Sequence, residues 1–86
     1  MRSLKLQPKA TQQIADWLNN DPKVLKRIFR IFQECCRTPF EGIGKPEPLK
    51  GNLKGKWSRR IDDTNRLVYE VTDSEIVVLS LFGHYE

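Results

Sequence analysis

The sequence predicts an α+β fold, with two N-terminal helices packed on one face of a small, mostly antiparallel, twisted sheet. Three observations carry this. Apolar residues recur at helical spacing over residues 10–35, and after residue 56 the spacing becomes that of strands. Between them the period vanishes, in a stretch broken by Pro39, Pro46 and Pro48 and by Gly42, Gly44, Gly51 and Gly55. The 86 residues make a single domain, 1–86, whose small core leaves its stability marginal.

Residues 2–6 alternate as a short first strand. Pro8 suits a first helical turn, and Ala10, Ile14, Trp17 and Leu18 form the apolar stripe of a helix that Asn19 and Asn20 end. Asp21-Pro22 reads as an N-cap followed by proline at the first helical position. The second stripe, Leu25, Ile28, Phe32 and Cys35, stops at Thr38-Pro39, and so short a link makes a helical hairpin. Residues 39–55 form a long shaped loop that Phe40, Leu49 and Leu53 pin to the body. Loops of this length in compact domains usually carry function.

Strands follow at residues 56–61, 66–71 and 76–82. Trp57 and Ile61 share the core face with Leu67, Tyr69 and Val71 only if the turn has an odd number of residues, such as 62–64. That register brings Arg60 and Arg66 side by side on the opposite face, poor packing but a good anion site. The third strand is apolar nearly throughout and belongs inside the sheet, although its pattern assigns neither face.

The net charge is +4 and the pI about 9.3, pointing towards a polyanionic partner. Residues 45–66 hold seven basic residues (Lys45, Lys50, Lys54, Lys56, Arg59, Arg60, Arg66) against Glu47, Asp62 and Asp63, a surplus of four that equals the net charge. Cys35 and Cys36 are adjacent, which strains any disulfide between them, and two ligands cannot build a structural zinc site. A buried role in a reducing cytoplasm is expected. The longest apolar run, Ile76 to Leu79, is far too short for a membrane span, so no membrane partner is expected.

Cutting RNA without a metal requires a base for the 2′-hydroxyl, an acid for the leaving 5′-oxygen, cations for the phosphorane and surfaces for the bases. Glu47, fixed between Pro46 and Pro48, can serve as base, and His84, the lone histidine, titrates near neutrality. Arg60 and Arg66 can grip a phosphate bidentately. Tyr85 and Trp57 offer faces for stacking. Lys45, Lys50, Lys54 and Arg59 complete the phosphate-binding candidates. Each also has an ordinary structural reading: Glu47 as a solvated loop carboxylate, Arg59-Arg60 as an edge defence, Trp57 and Tyr69 as core.

The order of these residues adds what no single one carries. Residues 38–50 (TPFEGIGKPEPLK), 55–61 (GKWSRRI), 65–69 (NRLVY) and 83–85 (GHY) strongly resemble the YoeB/Txe branch of the RelE toxin superfamily. The resemblance implies a RelE-like, microbial-RNase-like fold and a toxin that cleaves mRNA in the ribosomal A site without cofactor or metal. By this analogy Glu47 is the general base, His84 the general acid and Arg66 the stabiliser of the phosphorane. Lys50 and Arg60 bind phosphate, and Tyr85 positions the RNA. The products carry a 2′,3′-cyclic or 3′-phosphate and a 5′-hydroxyl. The implied partners are the ribosome with its rRNA, mRNA, an antitoxin of the YefM/Axe kind with an acidic tail, and a second copy of the chain.

Two departures accompany the likeness. Glu86 follows the terminal tyrosine and adds negative charge beside the phosphate site, and residues 1–9 lack the branch's tryptophan-rich acidic pattern. Two rival functions use the same surface. One is a non-catalytic module that binds RNA or antitoxin, and the other a remnant that serves only as an antitoxin sink.

Overall fold

A computed structural model describes residues 1–83; His84, Tyr85 and Glu86 lie outside the described residues. The chain runs β1 (Ser3–Leu6), α1 (Pro8–Asn20), α2 (Val24–Arg37), β2 (Glu47–Pro48), a 3₁₀ turn (Gly51–Leu53), β3 (Lys56–Arg60), β4 (Arg66–Val71) and β5 (Glu75–Ser80). The five strands form one sheet in the order β1-β5-β4-β3-β2. Only the β1–β5 pairing is parallel, so the α+β reading holds and β5 lies inside the sheet as its apolar sequence requires.

Both helices cover one face. Ala10 and Trp17 of α1, and Leu25, Ile28, Ile31, Phe32, Cys35 and Cys36 of α2, are buried against Ile61, Leu67, Tyr69, Ile76, Val78 and Leu81. The expected β3–β4 register is the one observed, with Trp57 opposite Tyr69 and Arg60 opposite Arg66. The start of α2 differs from expectation. The Val24 and Leu25 N–H groups donate to the Asp21 and Pro22 carbonyls, so residues 21–24 make a tight turn. The helix begins at Val24 after Lys23, and the Asp21 side chain caps nothing.

Strand parity has a further consequence. The alternation that sends Trp57 and Ile61 inward sends Arg59 with them, and Arg59 is fully buried. Its five N–H donors meet five acceptors. Nε donates to the Tyr69 hydroxyl (3.2 Å), Nη1 to Glu34 Oε1 (2.7 Å) and the Ile43 carbonyl (3.2 Å), and Nη2 to the carbonyls of Thr38 (2.6 Å) and Glu41 (3.0 Å). The Tyr69 hydroxyl donates onward to the Pro39 carbonyl at 2.6 Å. Residues 38–43 are thereby wound around one guanidinium. Gly42 closes the winding at φ +129°, where a Cβ would lie 1.7 Å from Glu34 Oε1. Arg59 was expected among the phosphate ligands. With no exposed surface and no spare donor it cannot be one.

Burial works against the Arg59 charge, but its bonds to Tyr69 and Glu34 hold the group above its ordinary range. Burial also dominates for its neighbours. It pushes the Tyr69 hydroxyl up to about 12 and the Cys35 thiol up to about 11, with the Arg59 charge opposing both.

Arg59→Met removes five donors from this buried cluster and should cost about 3–5 kcal/mol. An unchanged urea midpoint would contradict the assignment. Alkali should act on the same cluster. Tyr69 and Cys35 are raised in the fold from ordinary values of 10.0 and 9.0, so folding favours their protonated forms. That contribution is complete below pH ~9 and is lost as pH rises towards ~12. Tyr69→Phe should flatten the fall, as measured by urea unfolding across this range.

Candidate functional site

The loop held by Arg59 passes directly onto the sheet edge. The Arg60 N–H donates to the Gly44 carbonyl at 2.6 Å, β2 pairs Glu47 with Ser58 and Pro48 with Trp57, and the Leu49 N–H reaches the Lys56 carbonyl at 2.9 Å. Gly44 adopts φ +80°, where a Cβ would stand 2.9 Å from the Arg60 carbonyl oxygen, so this close approach requires glycine. Lys45 beside it also sits at positive φ. Pro46 and Pro48 suit an outermost strand, since neither has an N–H to offer a further neighbour. Leu49 is buried and anchors the far end, as expected, while Leu53 is half-buried. Phe40 is half exposed, its ring 5.0 Å from that of Trp57.

Paired residues in an antiparallel sheet point to the same side. Glu47, Ser58, Val68 and Ser80 therefore form one cross-strand row on the face away from the helices, and Arg60 and Arg66 form the adjacent row. A register shift at Val68/Tyr69 brings Ser80, rather than Leu79, opposite Val68. The faces of β5 could not be read from its sequence because nearly every position is apolar, and this irregularity also breaks the alternation. Ser58, Val68 and Ser80 are nearly inaccessible and make the floor. Glu47 and Arg60 rise from it exposed, whereas Arg66 is only 9% exposed and lies along it. The carbonyls of Asp62 and Asn65 approach Arg66 Nη1, each at a long 3.5 Å. A carboxylate and two guanidinium groups thus share a shallow surface. Lys45, Lys50 and Lys54 stand exposed on the neighbouring loop.

The remaining border is built by the β3–β4 turn. Asp62 Oδ1 accepts from the N–H groups of Thr64 (2.9 Å) and Asn65 (2.7 Å) and from Asn65 Nδ2 (3.2 Å). Partial burial disfavours the Asp62 carboxylate, but these donors outweigh it and hold the group below its usual range. Asn65 Oδ1 in turn accepts the Gly83 N–H at 3.1 Å, and the Gly83 carbonyl accepts the Arg66 N–H at 2.9 Å. Helix α1 holds the preceding residues: Trp17 Nε1 donates to the Leu81 carbonyl at 3.0 Å, and the Trp17 ring stacks on Phe82 at 4.4 Å. The chain leading into His84 is therefore fastened beside Arg66 from two sides.

Of the residues singled out in the sequence, Glu47, Arg60 and Arg66 come together on one face, and Lys45, Lys50 and Lys54 flank it. Arg59 faces the other way. His84 and Tyr85 lie outside the described residues. Tyr69 is core and Trp57 half-buried. The supporting roles of Glu34, Asn65 and Trp17 carry no sequence signal of their own. Arg59 did have one, since it shares parity with Trp57 and Ile61. Among the described residues no helix is long and apolar enough to cross a membrane, and no three His, Cys, Asp or Glu side chains gather as metal ligands.

Residues 6–85 match the family model described as the YoeB-like toxin of bacterial type II toxin–antitoxin systems. The toxin YoeB of Streptomyces coelicolor is 56% identical over 69 residues, covering 80% of this chain and 82% of that protein. The YoeB dimer from Staphylococcus aureus superposes with a TM-score of 0.89 at 40% identity over 98% of both chains. A heterotetrameric YoeB–YefM toxin–antitoxin complex from the same organism gives 0.87 at 40% identity over 99% of both.

Asn65→Ala should free the Gly83 N–H and unfasten the chain end at a cost of about 1 kcal/mol. Amide exchange at Gly83 should accelerate while that of the β4–β5 ladder is kept. A Gly83 amide still protected in the variant would mean that Asn65 does not hold it.

Proposed function

Because this chain belongs to the YoeB-like toxins of bacterial type II toxin–antitoxin systems, we propose that it is an endoribonuclease that cleaves mRNA in the ribosomal A site. One observation carries the chemistry: the sheet register puts Glu47 in the row next to Arg60 and Arg66 on an open face. On this reading Glu47 takes the proton of the 2′-hydroxyl, whose oxygen attacks the neighbouring phosphorus. Arg66 meets the charge that grows on the phosphorane oxygens, and being held along the floor it needs little reorganisation to do so. His84, in the chain fastened at Gly83, protonates the departing 5′-oxygen. The products are a 2′,3′-cyclic phosphate, which can open to a 3′-phosphate, and a 5′-hydroxyl. Arg60, Lys45, Lys50 and Lys54 bind flanking phosphates, and Tyr85 positions the RNA.

The site is shallow, and Glu47 is exposed to solvent. A second surface that bends and holds the mRNA would supply the missing positioning, a contribution of up to about 7–11 kcal/mol in model reactions. The ribosome is that surface in this proposal. An antitoxin of the YefM kind neutralises the toxin, and a second copy of the chain forms its dimer. Both assemblies are seen in the Staphylococcus aureus relatives.

Mapping mRNA 5′ ends on translating ribosomes tests the proposal. Wild-type protein should generate new ends, and Glu47→Gln, Arg66→Ala and His84→Gln should each lower their yield by about 10²–10⁴-fold with the fold retained. Chelator should leave cleavage unchanged. No new ends would mark a binding module, and equally fast cutting of naked RNA would remove the ribosome from the mechanism.

A further inference from the structure

The polar face of α2 takes no part in the site above. The exposed ring of Phe29 stands at its border, and its exposed polar positions are Lys23, just before the helix, then Lys26, Arg27, Arg30, Gln33 and Arg37. At 100° per residue these fall, with the half-buried Glu34, within about a third of the helix circumference, opposite the stripe buried in the core. Glu34 is the only acidic residue of the helix, and its carboxylate is bound to Arg59 inside the fold. Among the described residues none of the five cations forms a salt bridge. The result is a rigid basic ridge, about 10 Å from Lys23 to Arg30 and about 21 Å to Arg37. Apart from Glu34, the nearest acidic residues along the chain are Asp21 and Glu41, beyond its ends.

The ridge is joined to the candidate site. Arg27 Nη2 donates to the Arg60 carbonyl at 3.1 Å, which brings the helix surface to the end of β3 where the Arg60 side chain lies exposed. Its chemistry suits a regular polyanion. Protein partners bind best through apolar and aromatic centres depleted of charge, and here the exposed aromatic, Phe29, lies at the border while Arg27 and Arg30 hold the middle. Paired RNA presents phosphates at regular intervals and is held mainly by its shape and backbone. We propose that the α2 ridge docks the phosphate backbone of a structured RNA helix, separate from the strand that is cut. Resting on the ribosomal reading above, this places ribosomal RNA on α2 while mRNA occupies the Glu47–Arg66 face. The ridge contacts would orient the toxin and carry no base sequence information.

The test compares Lys26→Gln/Arg30→Gln with Lys5→Gln/Lys9→Gln, which removes the same charge from β1 and the first turn of α1. Binding to purified ribosomes and to a short A-form RNA duplex is measured across a salt series. The α2 variant should weaken both by at least about tenfold near 0.15 M salt and reduce the slope of log K against log salt by about two. The control pair should resemble wild type. Equal behaviour of the two variants would overturn the ridge as a docking site, as would loss of antitoxin binding with RNA binding intact. If wild type failed to bind ribosomes, the ribosomal reading would fall, and the duplex measurement would still decide the ridge.

Discussion

Five N–H groups on one buried side chain determine the shape of the loop on which the candidate site depends. The Arg59 guanidinium binds three backbone carbonyls of residues 38–43, the Glu34 carboxylate and the Tyr69 hydroxyl. This joins the end of α2, the loop and two central strands at one point. The loop has few apolar anchors of its own, and its proline and glycine content favours no regular structure. Without the guanidinium its carbonyls would need water that the interior does not admit. Replacing a buried ion pair by well-packed apolar residues is often neutral or better for stability. What Arg59 contributes here is a unique course for residues 38–43, and hence the register in which Glu47 reaches β3.

That register connects fold to chemistry. Glu47 lies on a two-residue strand bounded by prolines, which is too short to specify its own pairing. Its position is set from both sides, by the Gly44 carbonyl on Arg60 and by the Leu49 N–H on Lys56. The opposite border is set in the same way, through Asp62, Asn65 and Gly83. Most of these contacts use backbone groups, so the geometry tolerates exchange of many surface side chains while keeping the exposed carboxylate and guanidinium groups in place.

The helices, the three principal strands and the Arg60–Arg66 pairing were legible in the sequence because each rests on a period, and periods survive without tertiary knowledge. Three features were not. Strand β2 is too short to show alternation. The start of α2 was misread because an Asp-Pro pair satisfies two local rules, and backbone turn bonds displaced both. The shift on β5 adds one residue to one strand, which no pattern of apolar residues reveals. The candidate site was legible where it rested on the β3–β4 register and obscure where it rested on the Asn65 clamp, whose donors and acceptors meet only after folding.

Arg59 and Arg60 show how far composition alone can mislead about function. Counted as charge, the two are equivalent, and both add to the basic surplus of residues 45–66. Strand parity separates them completely. One is fully buried with every donor engaged, and the other is exposed beside Arg66. The surplus available to a polyanion is therefore smaller in that stretch than the sequence suggests. On α2 the single carboxylate, Glu34, is half-buried and its charge is paired with Arg59. One ion pair thus redistributes the outer charge: it removes a cation from the strand face and neutralises the anion of the helix face. The net charge of +4 is unchanged, but the positive surface extends across two faces that meet where Arg27 touches Arg60. A single loop-shaping contact in the core therefore also sets where on this protein positive charge is presented.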